Sequence, residues 1–144
     1  MKTIKQVCAF MENRQGQLAE LLEVLSVNGI DLRALNVAET TDYGVARLIA
    51  DNSGKAAEVL KNAGCIVSLN EVFAVSVPDR PGGLKELLEK LASDGVDIEY
   101  MYSVFGHKNG LAYMIVSAKN MECMQESLDK NQIIAADSKE LGLC

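Results

Sequence analysis

The chain has 144 residues, with 14 Lys and Arg against 20 Asp and Glu, and a formal net charge of −6. Nucleic acids and anionic membrane surfaces attract clustered basic residues, so this balance excludes both as expected partners. The chain begins directly with a strand pattern, without a signal peptide or an apolar run long enough to cross a bilayer. The four cysteines lie far apart, and no pair has metal-ligand or redox spacing. We therefore expect a cytoplasmic protein with no metal and no cofactor.

The first half of the chain alternates between strand and helix patterns. Residues 4–11 form an apolar, β-branched run, which predicts a strand that ends at a polar turn. Leucines at helical spacing then predict a helix over 16–28, with Gly29 at the position of a left-handed C-terminal cap. Strands are predicted at 30–40, 45–50 and 65–69, and a second helix begins at Asn52 or Ser53 and ends at Gly64.

The second half repeats this order. Strands are predicted at 72–77, 96–105, 111–118 and 133–137, and helices at 82–94 and 120–130. Gly95 takes the cap position, and Asn109-Gly110 is typical of a hairpin turn.

The two halves are copies of each other. When the segment 12–31 is aligned with 78–97, ten of twenty positions are identical. The identical pairs are Arg14/Arg80, Gly16/Gly82, Leu18/Leu84, Glu20/Glu86, Leu21/Leu87, Leu22/Leu88, Glu23/Glu89, Leu25/Leu91, Gly29/Gly95 and Asp31/Asp97. Chance predicts one or two identities, so the chain contains an internal duplication. We expect the register to continue without a gap to Gly44/Gly110, Ala46/Ala112 and Ile49/Ile115.

Each copy has the order βαββαβ, which predicts an α+β fold of two ferredoxin-like units. Two helices should cover one face of a four-stranded antiparallel sheet with strand order 4-1-3-2. The expected domains are residues 1–70 and 71–144, joined by a linker at Asn70 and Glu71. Because the linker is short, we expect the units to be close neighbours.

The copies resemble ACT domains, the amino-acid-sensing modules of biosynthetic enzymes. The resemblance rests on the strand–turn–helix Pro78-Asp79-Arg80-Pro81-Gly82-Gly83-Leu84, on the leucine stripe, and on Gly95-Val96-Asp97-Ile98 after the helix. In the first copy, the sequences from Glu12 to Leu18 and from Gly29 to Leu32 are similar, but Gln15 replaces the usual proline. Nearly the whole chain is covered, which implies a stand-alone tandem ACT protein with its units paired side by side.

The resemblance implies a ligand site between the strand–helix turn of one unit and the second strand of the other. A helix start offers free N–H groups and a positive dipole to a carboxylate, and glycines let a ligand approach the backbone. Asn13 and Asp79 are candidate ammonium acceptors. The candidate residues of the two turns are Asn13, Arg14, Gln15, Gly16, Gln17, Leu18, Asp79, Arg80, Gly82, Gly83 and Leu84.

The second strands supply candidates for the opposing wall: Ala34, Leu35 and Asn36 in one copy, and Tyr100, Met101 and Tyr102 in the other. The second set is larger and more aromatic, which predicts a pocket for a larger side chain. Structural roles compete with these assignments. Asn13 and Asp79 are also typical helix caps, the glycines suit tight turns, and the tyrosines suit a packing surface.

The expected function is regulatory: a free amino acid binds and allosterically alters what the outer surface contacts. A homodimer is expected, and so is an unidentified enzyme or protein partner. The rival hypothesis is a protein–protein interaction or oligomerisation module that binds no ligand. An acylphosphatase-like hydrolase is weaker, since Arg14 and Asn13 lie in a suitable turn but the glycine-rich aromatic signature is absent. The one histidine, His107, lies in a predicted hairpin, so we expect no enzyme.

Overall fold

The computed structural model describes residues 1–12, 14–39, 43–106 and 110–143. The chain divides into two compact units. The first unit contains Lys5–Glu71 with residues 142–143, and the second unit contains Met1–Ile4 with Val72–Leu141. Asn13, His107 and Asn109 of the predicted hairpin turn lie outside the described residues.

The first unit contains β1 (Ile4–Glu12), α1 (Gln17–Val27), β2 (Leu32–Glu39), β3 (Tyr43–Ala50), α2 (Ser53–Asn62) and the start of β4 (Ile66–Pro78). Its strand order is β2-β3-β1-β4, with antiparallel β1–β3 and β2–β3 pairs. This is the order 4-1-3-2 predicted from the sequence.

The second unit contains the rest of β4, then α3 (Gly83–Ser93), β5 (Ile98–Ser103), β6 (Leu111–Ala118), α4 (Met121–Lys130) and β7 (Ala135–Ala136). Its order is β5-β6-β4, with β7 pairing to the other side of β4. The same 4-1-3-2 arrangement is therefore confirmed in the second copy.

The residues Asn70 and Glu71, predicted as the linker between the domains, belong to a continuous strand. Both residues lie inside β4, which runs for 13 residues from Ile66 to Pro78. The apolar residues on either side support one extended strand, and neither Asn nor Glu forces a turn as Gly or Pro would.

Each unit has its own hydrophobic core between one face of its sheet and both helices. In the first unit, Leu21 and Leu25 of α1 meet Leu60 of α2 and Val7 and Leu48 of the sheet. The second core joins the corresponding elements, with Leu87, Leu91 and Leu128 packed against strand residues such as Phe73 and Val116. The predicted leucine stripes are confirmed at these positions, but Leu84 is an exception, because its side chain is exposed.

The ungapped register of the two copies is wrong beyond their second strands. Met11 pairs with Gly44, whereas Val77, the counterpart of Met11 in the second copy, pairs with Ala112. Strand pairing thus makes Ala112, and not Gly110, the equivalent of Gly44. The second copy therefore carries a short insertion between its second and third strands, and every later equivalence is displaced by it.

Candidate functional site

The turns between β1 and α1 and between β4 and α3 share a glycine in the same backbone conformation. Gly16 and Gly82 stand at the helix starts with φ of 84° and 83°, the left-handed region that favours glycine. The next residue closes each turn, since Gln17 donates its N–H to Arg14 O at 3.3 Å and Gly83 donates to Arg80 O at 3.0 Å. The glycines therefore have a conformational role in both copies.

Both helices begin with backbone donors that point out of the helix. Within the described part of the chain, no backbone carbonyl accepts the N–H groups of residues 18 and 19, or of 84 and 85. Neither Gly16 nor Gly82 can provide a side-chain cap. Each helix start therefore has two donors, reinforced by the helix dipole, that can bind a carboxylate.

The arginine of each turn is held by a glutamate on the following helix. Arg14 donates two hydrogen bonds to Glu20, at 3.3 and 2.7 Å, and Arg80 does the same to Glu86 at 3.3 and 2.9 Å. The hydrogen bonds from the arginines lower the pKa of Glu20 and of Glu86. This pairing was not predicted, although both partners are among the identities between the copies. Because it is the same in both turns, it is a structural feature of the repeat.

The turn of the first unit borders an open cleft of about 520 Å³. Its lining combines charged and amide groups of β1, the turn and α1 with apolar side chains. The residues that matter for its chemistry are Glu12, Arg14, Gln17, Phe10, Tyr43 and Ile66. We call this space the first-unit cleft. A smaller space of about 210 Å³ shares Glu12, Arg14 and Gln17 and extends towards Leu18 and Val37.

The equivalent space in the second unit is small, about 70 Å³, and lies between Ser76, Pro78, Gly83 and Ile133. Gly83 is buried, and a Cβ at this residue would stand 2.1 Å from the carbonyl oxygen of Pro78. The missing side chain of Gly83 thus lets α3 begin directly against the strand end. The other turn residues, Asp79, Arg80 and Gly82, are exposed.

The predicted residues of β2 divide between the two faces of the sheet. Ala34 is fully buried, and Leu35 packs against the core of the first unit. Asn36 is half-buried and accepts a hydrogen bond from Arg47 Nη1 at 3.3 Å. Among these three, only Asn36 offers a polar group for recognition.

The predicted residues of β5 divide in the same way. Tyr100 and Tyr102 stack with ring centroids 6.5 Å apart and planes inclined by 20°. Tyr102 is buried, and Tyr100 is half-buried. Met101 packs against the core of the second unit. The shared face of the tyrosines follows the two-residue period of a strand.

Sequence reasoning missed the apolar side of the first-unit cleft. Phe10, Tyr43 and Ile66 come from three different strands, and their exposed fractions are 41%, 51% and 72%. One signal was available: Phe10 alternates with the inward-facing Ala9 and Met11, so it had to face away from the core.

Within the described ranges, no group of three or more His, Cys, Asp or Glu side chains is placed to hold a metal ion. Cys8, Cys65 and Cys123 are free thiols. Across the same ranges, no helix combines the length and hydropathy that a membrane span requires.

Comparison with known families gives a match over residues 2–143 to a family described as an ACT domain pair. No curated protein sequence matches. Among solved structures, protein BT0572 from Bacteroides thetaiotaomicron is similar, with 35% identity, a TM-score of 0.88, and coverage of 97% of this chain and 96% of that one.

Two more distant structures share the fold. They are regulatory subunits of aspartate kinase. The Thermus thermophilus subunit, in a ligand-free form, has 16% identity, a TM-score of 0.62, and coverage of 90% of this chain and 93% of its own. For the Thermus flavus subunit the identity is 14%, the TM-score is 0.60, and the coverage is 88% of this chain and 90% of that one.

Proposed function

Since the chain belongs to the ACT domain pair family, we propose that it is a regulatory protein that binds a free amino acid at the turn between β1 and α1. The observation that carries this proposal is the first-unit cleft. It places a charged and amide-bearing edge, the start of a helix and exposed apolar side chains around one space of about 520 Å³.

The charges of the cleft suit a zwitterion. The start of α1 adjoins the cleft at Gln17, and its dipole with the free N–H groups of residues 18 and 19 would receive the carboxylate. Glu12 would receive the ammonium group. Its carboxylate is largely exposed, and its ion pair with Arg14 consists of one long contact, 3.7 Å from Arg14 Nε to Glu12 Oε2. Arg14 donates two hydrogen bonds to Glu20, so its proposed role is to stabilise the conformation of the turn.

A second wall is proposed to come from the second strand of another ACT unit, as the family resemblance implies. Asn36 is the candidate in β2, and Tyr100 is the candidate in β5, because their neighbours Leu35 and Met101 pack into the cores. Replacement Asn36→Ala should weaken amino-acid binding. Unchanged affinity would confine the site to the turn and the cleft.

Regulation is proposed to act through a change in what the protein contacts. The two aspartate kinase subunits with this fold are regulatory components of an enzyme, which supports a role beside an enzyme partner. A ligand can alter such contacts only if it binds one arrangement of the protein more tightly than another. We also propose a homodimer, because β2 and β5 are edge strands of their sheets. Sedimentation of the chain with and without amino acid tests this.

The test of binding is thermal unfolding of the intact chain with each of the twenty L-amino acids. A ligand at a hundred times its dissociation constant adds about 2.7 kcal/mol of stability, which raises Tm by roughly 5–10 °C for a protein of this size. We expect one chemical class of amino acid to do so. If none changes Tm, the proposal fails and the ligand-free interaction module becomes the better account.

A further inference from the structure

We infer that the first-unit cleft selects an amino acid with a large apolar side chain, and that the equivalent place in the second unit binds none. This inference rests on the proposed function, because it names the ligand class of the same site. The evidence for it is the set of differences in lining residues and volume between the two copies of the fold.

The two turns can be compared residue by residue because they have two structural features in common. Gly16 and Gly82 have the same backbone conformation, and the Arg14–Glu20 and Arg80–Glu86 pairs have the same two-bond geometry. Features that both copies share, including the free N–H groups at each helix start, therefore cannot distinguish their ligands. What only one copy has is available for recognition.

The polar differences place the ligand's charged groups in the first unit. Glu12 and Gln17 line the first-unit cleft, and their counterparts in the second copy are Pro78 and Gly83. Pro78 has no carboxylate for an ammonium group, and Gly83 has no amide. The second copy thus lacks the groups that distinguish the first.

The apolar differences indicate the ligand's side chain. Phe10 corresponds to Ser76, and strand pairing makes Leu111 the equivalent of Tyr43, because Glu12 pairs with Tyr43 and Pro78 pairs with Leu111. Phe10 and Tyr43 keep large fractions of their surfaces in solvent at the cleft, and so does Ile66, whose counterpart Ile134 is likewise an exposed isoleucine. A ligand with an aromatic or branched apolar side chain would cover them, and burial of apolar surface is the main favourable term in such binding.

Volume supports the same assignment. The half-buried Cys65 lines the first-unit cleft, whereas its larger counterpart Ile133 lines the small space of the second unit. The first-unit cleft has a volume of about 520 Å³, and the equivalent space in the second unit has about 70 Å³. The second space therefore offers much less room for an amino acid than the first-unit cleft does.

Charge excludes acidic ligands. Two carboxylates, Glu12 and Glu20, line the cleft with one guanidinium, Arg14, which Glu20 already engages. An aspartate or glutamate ligand would bring a second negative charge beside them, which is unfavourable in a partly desolvated space.

Calorimetric titration of the intact chain with L-phenylalanine, L-leucine, glycine and L-aspartate tests the inference. We expect one site per chain and at least tenfold tighter binding of L-phenylalanine or L-leucine than of glycine or L-aspartate. Phe10→Ser, which copies the second unit, should weaken L-phenylalanine binding about tenfold or more. The matched control Ser76→Ala should leave it unchanged. Ile66→Ser, at a residue that is 72% exposed, gives a second variant that preserves folding.

The outcomes separate the two claims. If glycine or L-aspartate binds more tightly, or if two sites per chain are filled, the inference is overturned while amino-acid binding stands. If Phe10→Ser and Ile66→Ser both fold and bind L-phenylalanine as the unchanged chain does, the assignment of the cleft is overturned. If no amino acid gives heat, the proposed function itself has failed.

Discussion

Gly83 begins α3 so close to Pro78 that no side chain fits between them: an added Cβ would lie 2.1 Å from the Pro78 carbonyl oxygen. The first unit has Glu12 and Gln17 at these positions, and Gln17 carries a side chain that must be accommodated. The helix start of the first unit therefore cannot close onto its strand in the same way. The exchange of Glu12 and Gln17 for Pro78 and Gly83 thus accounts for part of the difference in volume between the two spaces.

Replacement of Gly83 by alanine should destabilise the protein by about 1–3 kcal/mol, because the new methyl group meets main-chain atoms that cannot rotate away. Urea-induced unfolding measures this change. Gly54→Ala is the matched control, since Gly54 lies in α2 with its nearest neighbouring atom at 3.8 Å from an added Cβ. We expect the control to be neutral or stabilising by up to about 1 kcal/mol. Equal effects of the two substitutions would contradict the close contact.

Neutralising Glu12 should weaken amino-acid binding. In the proposed complex its carboxylate receives the ammonium group, and a charge-assisted hydrogen bond is worth about 1.5–3 kcal/mol, so Glu12→Gln should raise Kd roughly 10- to 100-fold. Glu126→Gln changes the net charge equally on the exposed surface of α4 and should leave Kd unchanged. If both variants shift Kd alike, Glu12 acts only through overall charge.

Amino-acid binding should protect the thiol of Cys65 from alkylation. Cys65 lines the first-unit cleft, and burial raises the pKa of its thiol, so labelling by iodoacetamide should be slow at neutral pH and faster at higher pH. We expect saturating ligand to slow the labelling of Cys65 at least threefold, measured by mass spectrometry of each cysteine peptide. Cys123, in α4, is the internal control. Equal protection of both thiols would indicate global stabilisation and not occupancy of the cleft.

Protonation of the Asp94 carboxylate should make the second unit less stable in acid. Its carboxylate accepts hydrogen bonds from Lys130 Nζ at 2.6 Å, Ser127 Oγ at 2.6 Å and Asn131 Nδ2 at 2.8 Å, which ties the end of α3 to α4. These bonds, with that from Lys130 the largest, lower the pKa of Asp94 from 3.8 to about 2. A lowered folded-state pKa stabilises the protein above pH 4, and the contribution is lost as pH falls through about 2.

Asp94→Asn should therefore lower Tm at pH 7, and its difference from the unchanged chain should shrink between pH 4 and pH 2. Asp97→Asn removes an exposed carboxylate that pairs with Lys119 at 3.1 Å, and it serves as the control with a small effect. A Tm difference for Asp94→Asn that stays constant down to pH 2 would show that the network does not depend on the charge of Asp94.

The periodic features of the fold were predictable from the sequence. Leu21 and Leu25 recur at helical spacing and are buried, and Gly29 and Gly95 take the left-handed conformation expected after each helix. Strand order followed from the crossover rule, and it is confirmed in both units. These features depend on local spacing and chain handedness, which a sequence displays directly.

The candidate site was predictable only in part. The turns at Gly16 and Gly82 have a sequence signature, but the size of the space beside them depends on residues far along the chain, such as Cys65 and Ile133. The insertion in the second copy hid which residues correspond, so Tyr43 and Leu111 could not be compared. The larger aromatic residues of β5 predict a pocket for a larger side chain at the turn that they oppose in the other unit, and this stays a prediction.

The most direct measurement is a crystal structure of the intact chain grown with the amino acid that raises Tm most. The account predicts density for one amino acid per chain in the first-unit cleft, with its ammonium group at Glu12, its carboxylate at the start of α1 and its side chain against Phe10 and Tyr43. Density for the ligand at another place, or at the turn between β4 and α3, would contradict it.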